Sequence, residues 1–228
     1  NFSIQTLEAL KYLKITNVGL ANNHTLNQGL NGLAVTQNLL EKSGINWQGN
    51  PNEPNAKSII RYEQNDVKIS LIAINPTFGI TNIAELIKQE KQGGRFVIIL
   101  PHWGNEYETT HSAGQEKLAR AWIEAGADLI IGSHPHVIQD AQVINEKMNT
   151  KSIGNFVIDQ YFSEETKQGL IVAGKISKKK KKITLLPIES KNFKPEILQG
   201  DAKKQILEKI CKNIQDYCSY DLIEINRK

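Results

Sequence analysis

The chain has 228 residues, of which 39% are hydrophobic and 23% are charged. This composition is typical of one soluble globular domain with a sizeable core, and it excludes a disordered chain and a membrane-spanning composition. The formal net charge of +4 includes five lysines in a single run at residues 178–182, so the rest of the chain is close to neutral. The basic character is therefore local.

The lysine run lies between two alternating apolar segments, residues 170–176 and 183–188, and this arrangement predicts a β-hairpin with the lysines at its tip. No aromatic or arginine side chain interleaves the run. A solvated loop is therefore favoured over a surface for nucleic acid or anionic lipid, and we expect no nucleic-acid partner.

The first residues fall within a predicted helix, 2–14, whose apolar side chains recur at helical spacing. The chain starts at Asn1 and contains a single methionine, Met148. We expect a further segment to precede these residues, so that 1–228 is a single domain without its N-terminal portion. The sequence therefore does not address a leader peptide or membrane anchor.

The pattern next predicts a short strand at residues 15–20, which ends at the polar pair Asn23 and His24. A helix is predicted at 29–43, with its apolar residues on one stripe and a glycine at its end. A polar, proline-containing loop is predicted at 46–55.

Two strands, 58–62 and 67–74, are predicted to be joined by a turn, and a helix at 82–92 leads to an apolar strand at 96–100. This last strand ends at His102. The continuous apolar character of 96–100 is typical of a strand that is buried on both faces.

A helix at 114–125 and a strand at 127–131 follow, and a strand-helix-strand order of these lengths predicts right-handed crossovers and a parallel sheet. A strand at 152–158 and the lysine-tipped hairpin then come without intervening helices, which predicts a second, more antiparallel sheet. The chain closes with a predicted helix at 201–220.

Two of the five histidines lie in the motif Gly132-Ser133-His134-Pro135-His136, directly after an apolar strand. In an extended backbone, residues i and i+2 point to the same side at roughly 6.6 Å spacing, so both imidazoles can face one metal ion or two neighbouring ions. Pro135 disfavours a helical conformation at His134 and so favours the extended arrangement. Taken alone, the pair is explained equally well by core histidines.

Three predicted strands end at polar clusters, which carry Asn23 and His24, His102, or His134 and His136. In open α/β sheets, ligands bind beyond the carboxyl ends of the strands, so these clusters are expected to meet. Scattered core histidines would not select strand ends in this way, and metal ligation is therefore favoured. Imidazole groups suit Zn, Mn, Fe, Co or Ni.

The other polar candidates fit this site less well. His111 lies in a loop and is expected at the surface. A dinuclear site normally needs a bridging carboxylate, and no acidic residue in the three clusters obviously supplies one. Glu106 and Asp159 are expected to support ligands or structure rather than to bridge two metals. We therefore expect the histidines to face a space without a bridging carboxylate.

Four motifs carry a resemblance to a known family: Ala21-Asn22-Asn23-His24, His102-Trp103-Gly104-Asn105-Glu106-Tyr107, the segment 132–139 and the segment 152–160. In order and spacing they resemble the bacterial capsule-synthesis (poly-γ-glutamate) CapA family, a branch of the calcineurin-like metallophosphatases. The resemblance implies a metallophosphatase-like α/β fold, a four-layer α/β/β/α sandwich with mixed sheets. The family's Gly-Asp and Asn-Leu-Glu motifs, upstream of these residues, would supply acidic metal ligands.

The resemblance also implies roles for residues of this chain. It makes His24 the catalytic residue that assists the leaving group, and it implies two divalent metal ions, Mn, Zn or Fe. The implied metal ligands are Asn23, His102, His134 and His136. A substrate wall is implied for Trp103, Glu106 and Tyr107, although a purely structural role is an equally good expectation for Trp103.

One position departs from the family pattern, because Asn27 stands where the family commonly has an aspartate three residues after the motif histidine. If that aspartate orients or protonates the histidine, general-acid chemistry at His24 is weakened here. If it only caps the following helix, Asn27 serves equally well. The glycine at position 29, where the helix begins, favours capping.

The resemblance implies a part in capsule or poly-γ-glutamate synthesis, with a two-metal phosphoesterase that hydrolyses a phosphoester or acts on an envelope polymer. The alternative is a non-catalytic component of envelope polymer assembly, which binds polymer or partner protein around a structural or vestigial metal. A nuclease guided by residues 178–182 is the third reading. Capsule-synthesis membrane proteins are the implied partners, and the cell envelope is the implied location, reached through an N-terminal anchor or export segment.

Overall fold

The computed structural model describes residues 3–49, 56–79, 82–178, 180–214, 218–219 and 222–225. Its α-helices are α1 (Gln5–Tyr12), α2 (Gly29–Lys42), α3 (Ala84–Gln92), α4 (Ala113–Ala125) and α5 (Gly200–Cys211). Its strands are β1 (Asn17–Gly19), β2 (Asn46–Gln48), β3 (Ile59–Gln64), β4 (Val67–Ile74), β5 (Phe96–Pro101), β6 (Leu129–Ile131), β7 (Ala141–Ile144), β8 (Lys147–Thr150), β9 (Gln168–Ile176), β10 (Lys181–Lys191), β11 (Lys194–Ile197), β12 (Cys218–Ser219) and β13 (Leu222–Ile225).

The first sheet has six strands in the order β3-β4-β5-β6-β8-β7. Strands β4, β5, β6 and β8 run parallel, and β3 and β7 are antiparallel to their neighbours. Helices α3 and α4 cover one face, where Trp122 and Ile123 of α4 pack with Ile99 and Ile130 of the sheet. The parallel centre confirms the prediction from the strand-helix-strand pattern.

The second sheet is antiparallel and joins β9, β10, β11, β12 and β13. It covers the other face of the first sheet through a cluster that includes Leu129, Met148, Leu170 and Leu185, and α5 packs into the same cluster. Helix, sheet and sheet therefore follow one another as layers. The predicted α/β fold with mixed sheets is confirmed.

The amino edge of the first sheet is held by Asp128, which is 2% exposed. Its carboxylate accepts hydrogen bonds from Lys91, from Lys147 at 2.9 Å and from the backbone N–H of Val97 at 2.9 Å. Burial alone would raise the pKa of Asp128, but these hydrogen bonds lower it below its usual value. The carboxylate stays charged and links α3 to β8 of the sheet.

The lysine-tipped hairpin is present as β9 and β10, but its lysines do not all lie in solvent. Lys181 is only 4% exposed. Its Nζ lies 3.7 Å from Asp128 and 4.4 Å from the centre of the Phe96 ring, where a cation is attracted to the aromatic face. One lysine of the run therefore belongs to the interior, and the expectation of a uniformly solvated loop is wrong.

Several predicted boundaries are corrected. The loop predicted at 46–55 begins with β2, which pairs in parallel with β1 in a small separate sheet, and residues 50–55 lie outside the described ranges. The last helix ends at Cys211, because β12 and β13 continue the second sheet. The segment 152–158 forms isolated bridges and bends rather than a strand.

Candidate metal centre

His102 follows β5 directly and lies at the carboxyl edge of the first sheet. A parallel bridge to Ser133 continues the pairing of β5 and β6 by one more residue. The His102 Nε2 atom lies 3.0 Å from Oδ1 of Asn23, which belongs to the turn after β1. The structure therefore brings together two of the predicted clusters that are 79 residues apart in the chain.

The loop after β6 carries His134 and His136, and their ring centroids are 6.3 Å apart. The His134 ring also lies 4.5 Å from that of His102. The predicted extended backbone is wrong, because φ is +104° at His134 and +61° at His136. Left-handed conformations cost a non-glycine residue roughly 1–2 kcal/mol, so surrounding contacts must hold this loop in place.

Backbone hydrogen bonds hold the loop on both sides. The N–H of Ser133 donates to Pro101 O at 2.9 Å, and the N–H of Ile153 donates to Gly132 O at 3.0 Å. Gly132 has no space for a side chain, since a Cβ there would lie 2.0 Å from the carbonyl oxygen of Lys151. The histidine loop is therefore packed closely between β5 and the chain that follows β8.

The protonation states of the histidines suit metal binding. Burial, together with the nearby His134, His136 and His24, lowers the pKa of His102 to about 3. Burial also lowers the pKa of His134, although Glu106 acts in the opposite direction. His102 and His134 are therefore neutral at pH 7, and a neutral imidazole is the form that binds a metal ion.

Asn155 fixes the orientation of His136. Its Nδ2 donates to Thr166 O at 2.9 Å and to Gln160 Oε1 at 3.2 Å, so its Oδ1 is the atom that faces His136 Nδ1 at 2.8 Å. Nδ1 of His136 must donate this bond, which leaves the lone pair of Nε2 for a ligand. Asn155 lies in the motif segment 152–160, but no pattern in the sequence indicates this role.

The His134 ring offers the clearest sign that the site fits a metal ion. Its Nδ1 is buried and has no hydrogen-bond partner within the described ranges. Such an atom is costly unless water or an ion satisfies it. Neutral, converging imidazoles with an unsatisfied nitrogen form a donor set that suits Zn or Mn.

His24 is exposed at the mouth of a cavity of about 350 Å³. The cavity is lined by Gly19, Ala21, Asn22, His24, Ala73, Leu100, His102 and Ser133. Asn27 donates from its Nδ2 to His24 Nδ1 at 3.1 Å, whereas the N-cap residue of α2 is Gln28, with no side-chain capping bond. The expectation that Asn27 caps the helix is therefore wrong, because its side chain contacts the histidine instead.

Trp103 does not line the site. It is 1% exposed, stacks on Trp122 at 5.3 Å and donates its indole N–H to Lys151 O at 2.8 Å. A substrate at the sheet edge would not reach it. Of the two roles expected from the sequence, the structural one is the role that this position allows.

Tyr107 lies beside the histidines and is 43% exposed. Its ring centroid is 5.9 Å from that of His136 and 5.0 Å from that of Phe162, and its hydroxyl accepts a bond from Gln160 at 3.1 Å. This position is open to a substrate, so its predicted substrate contact stays a prediction.

Glu106 differs from what the sequence leads us to expect. One of its carboxylate oxygens and a ring nitrogen from each of His134 and His136 all lie within 4.8 Å of one another. A carboxylate therefore lies beside the histidines, and the predicted absence of a carboxylate that bridges two metals stays a prediction. Spacing along the chain does not reveal this, because Glu106 reaches the histidines only through the fold of its loop.

His111 is not the surface residue that the sequence predicts. Its side chain is 14% exposed, with Nδ1 2.7 Å from Asp140 Oδ1 and Nε2 3.5 Å from Glu116. Nearby, Lys151 is fully buried and its Nζ has no hydrogen-bond partner among the described residues. Burial lowers the pKa of Lys151 to about 8, although Asp140 and Glu116 oppose the shift.

Comparison with known proteins identifies the family. Residues 1–160 match the family model described as bacterial capsule synthesis protein PGA_cap. The chain belongs to this family. The matched segment contains every residue of the histidine cluster, and the predicted resemblance is thereby confirmed.

Two curated relatives support membership of the PGA_cap family. The capsule biosynthesis protein CapA of Bacillus anthracis is 29% identical over 188 residues, which cover 73% of this chain and 46% of the relative. The PGA biosynthesis protein CapA of Bacillus subtilis (strain 168) is 27% identical over 219 residues, covering 88% of this chain and 58% of the relative. The chain thus spans about half the length of these relatives.

Solved structures share the fold. The NAD nucleotidase NadN of Haemophilus influenzae matches 93% of this chain and 49% of its own, with a TM-score of 0.54 and 14% identity. A hypothetical protein from Thermus thermophilus matches 86% of this chain and 79% of its own, with a TM-score of 0.50 and 15% identity. At these identities the likeness concerns the fold alone.

No helix in the described ranges has both the length and the apolar character that crossing a membrane requires.

Proposed function

We propose that this PGA_cap protein acts in capsule biosynthesis as a metal-dependent phosphoesterase. The observation that carries the proposal is the cluster of His102, His134, His136 and Asn23 at one sheet edge, with a buried, unsatisfied nitrogen on His134. Side chains that serve only stability are paired with one another when buried. In this cluster His102 Nε2 and Asn23 Oδ1 contact each other, whereas His134 Nδ1 has no partner among the described residues.

The residues of this chain would have separate roles in the reaction. His102, His134, His136 and Asn23 would hold divalent metal ions, Mn, Zn or Fe. When bound, such ions lower the pKa of a water molecule and stabilise the charge that develops in phosphoryl transfer. His24 would assist the leaving oxygen through a hydrogen bond from Nε2, because Asn27 donates to its Nδ1. Asn27 does not supply the negative charge with which a carboxylate favours a protonated ring, so general-acid chemistry at His24 is weakened here.

The carboxylates expected for a dinuclear site are proposed to come from the Gly-Asp and Asn-Leu-Glu motifs of the family. The chain spans 46% and 58% of its two curated relatives, so the activity of the whole protein is proposed on the basis of their likeness. We further propose a phosphoester or an envelope polymer such as poly-γ-glutamate as substrate, capsule-synthesis membrane proteins as partners, and the cell envelope as the location.

The test uses the full-length protein with Mn²⁺ or Zn²⁺ and the aryl phosphodiester bis(p-nitrophenyl) phosphate. We expect metal-dependent release of p-nitrophenol that His134→Ala abolishes. His111→Ala is the matched control, since this histidine lies outside the cluster and pairs with Asp140. Stoichiometric metal binding without turnover would refute a general phosphoesterase.

A non-catalytic role in polymer assembly is the second candidate, and exposed aromatic residues near the histidines favour it. Tyr107 is 43% exposed and Phe162 is 66% exposed, and Phe162 contacts Tyr107 beside His136. Such rings offer apolar contact to a polymer or protein. In this case purified poly-γ-glutamate would bind the protein with micromolar affinity, and His134→Ala would leave that binding unchanged.

A further inference from the structure

We infer that Glu106 is itself a metal-binding carboxylate, which forms one ion site with His134 and His136. The inference rests on the metal centre of the proposed function and assigns it a ligand that the four-residue set of His102, His134, His136 and Asn23 lacks. A carboxylate combined with two imidazoles is a donor set that Zn and Mn both accept.

The distances permit this arrangement. The three candidate ligand atoms lie within 4.8 Å of one another. Metal–ligand bonds of about 2.1 Å place two ligands of one ion at most about 4.2 Å apart. Closing the difference needs a shift of roughly half an ångström, and the Glu106 side chain is exposed and free to change rotamer.

The backbone that carries Glu106 is fixed to the histidine loop. The N–H of Tyr107, the next residue, donates to Pro135 O at 2.8 Å, between the two histidines. Further along the same loop, Gln139 donates to Glu108 O at 2.7 Å and to Thr110 O at 3.2 Å. The backbone of Glu106 is therefore held near the imidazoles by the fold before any ion binds, which reduces the entropic cost of binding.

The charges around Glu106 leave a role for a cation. Within the described ranges, no lysine or arginine forms a salt bridge with its carboxylate, whereas Glu90 and Asp128 each pair with basic side chains. A divalent ion would supply the positive charge that the protein itself does not place there.

The test measures metal binding directly. Mn²⁺ and Zn²⁺ are titrated calorimetrically into the protein and into Glu106→Gln, which keeps the size of the side chain and removes its charge. Glu108→Gln is the matched control, since Glu108 is exposed on the same loop two residues away. We expect at least a tenfold loss of affinity for Glu106→Gln and less than a twofold change for Glu108→Gln.

The outcomes separate this inference from the proposed function. Equal losses in the two glutamine variants, or an unchanged affinity in Glu106→Gln, would overturn the role of Glu106. If His134→Ala still abolished binding in that case, the histidine centre itself would stand. Unchanged binding in His134→Ala would overturn both, because Glu106 is argued to share an ion with that histidine.

Discussion

The two edges of the first sheet carry polar clusters of opposite character. At the amino edge, both oxygens of Asp128 accept hydrogen bonds from basic side chains, and its carboxylate also accepts from a backbone N–H. At the carboxyl edge, His102 and His134 crowd together, and one nitrogen of His134 is left without a partner in the described part of the protein. One cluster is internally satisfied and the other is open to a ligand.

The fold thus places residues that stabilise it at the amino edge and residues that offer ligand atoms at the carboxyl edge. A satisfied ion cluster adds rigidity to the elements it joins, and removing one member leaves the others unpaired. An unsatisfied cluster costs stability and is retained where it binds something. Substitutions at the amino edge should therefore change stability, and substitutions at the carboxyl edge should change metal affinity.

The largest effect is expected from Asp128→Ala. Removing the buried carboxylate leaves Lys91, Lys147 and Lys181 near one another without their shared partner. We expect a loss of roughly 3–5 kcal/mol in the free energy of unfolding, measured by urea denaturation. Asp159→Ala, at an exposed position, should change it by less than about 0.5 kcal/mol.

Two lysines near the opposite ends of β8 allow a matched comparison. Lys147 pairs with Asp128 at 2.9 Å, whereas Lys151 is buried with an Nζ that has no hydrogen-bond partner in the described ranges. We expect Lys151→Met to raise the free energy of unfolding at pH 7 by about 1–3 kcal/mol, and Lys147→Met to lower it. Urea denaturation of both variants measures the two effects.

The pH dependence gives an independent check on Lys151. Its folded pKa of about 8 lies below its ordinary value of 10.5, so the unfolded chain binds more protons between these values. Stability should rise from pH 8 towards pH 10.5, and this rise should be smaller in Lys151→Met. A variant less stable than the parent protein at pH 7 would contradict the prediction.

At the carboxyl edge, Asn155→Ala should weaken Zn²⁺ or Mn²⁺ binding by about 10–100-fold, equivalent to about 1.4–2.7 kcal/mol. The reason is that His136 Nδ1 loses the acceptor that fixes its ring and tautomer. Gln160→Ala leaves this acceptor in place, because the other Nδ2 bond, to Thr166 O, remains, and it should retain most of the affinity. Equal losses in the two variants would indicate a general disturbance of the loop.

The smallest expected effect is the decrease in the free energy of unfolding at acid pH. Because the folded pKa of His102 is about 3 and its ordinary value is 6.5, the unfolded chain binds the extra proton first as pH falls. The contribution of His102 to stability is complete above pH 6.5 and decreases by up to about 1.4 kcal/mol per pH unit below it. In His102→Gln, the free energy of unfolding, measured by urea denaturation, should depend less on pH between pH 7 and pH 5. An identical slope would contradict the prediction.

Much of the scaffold could be predicted because its pattern is local. Strands β4 and β5 are apolar runs, and α4 has a capping box of Ser112 and Gln115 before its apolar stripe. The hairpin of β7 and β8 is not predictable from the sequence, since buried polar residues such as Asn149 do not give a strand pattern. These residues are buried by tertiary packing, which overrides local preference.

The candidate site likewise combines features that the sequence predicts with features that only the fold determines. The convergence of Asn23, His102 and His134 follows from strand ends meeting at one edge, and it could be predicted. The left-handed backbone of the histidine loop could not be, because contacts from β5 and the segment after β8 impose it. The positions of Glu106 and Asn27 depend on loop conformations that no periodicity encodes.

Gly169 in β9 extends the influence of the second sheet to the metal centre. A Cβ at this position would lie 1.8 Å from the carbonyl oxygen of Asn155, the residue whose side chain holds His136. A random-mutagenesis screen for loss of metal binding would therefore recover Gly169→Ala among its strongest hits. A genetic map of the site would then contain a residue with no chemistry of its own, marking where the two sheets meet.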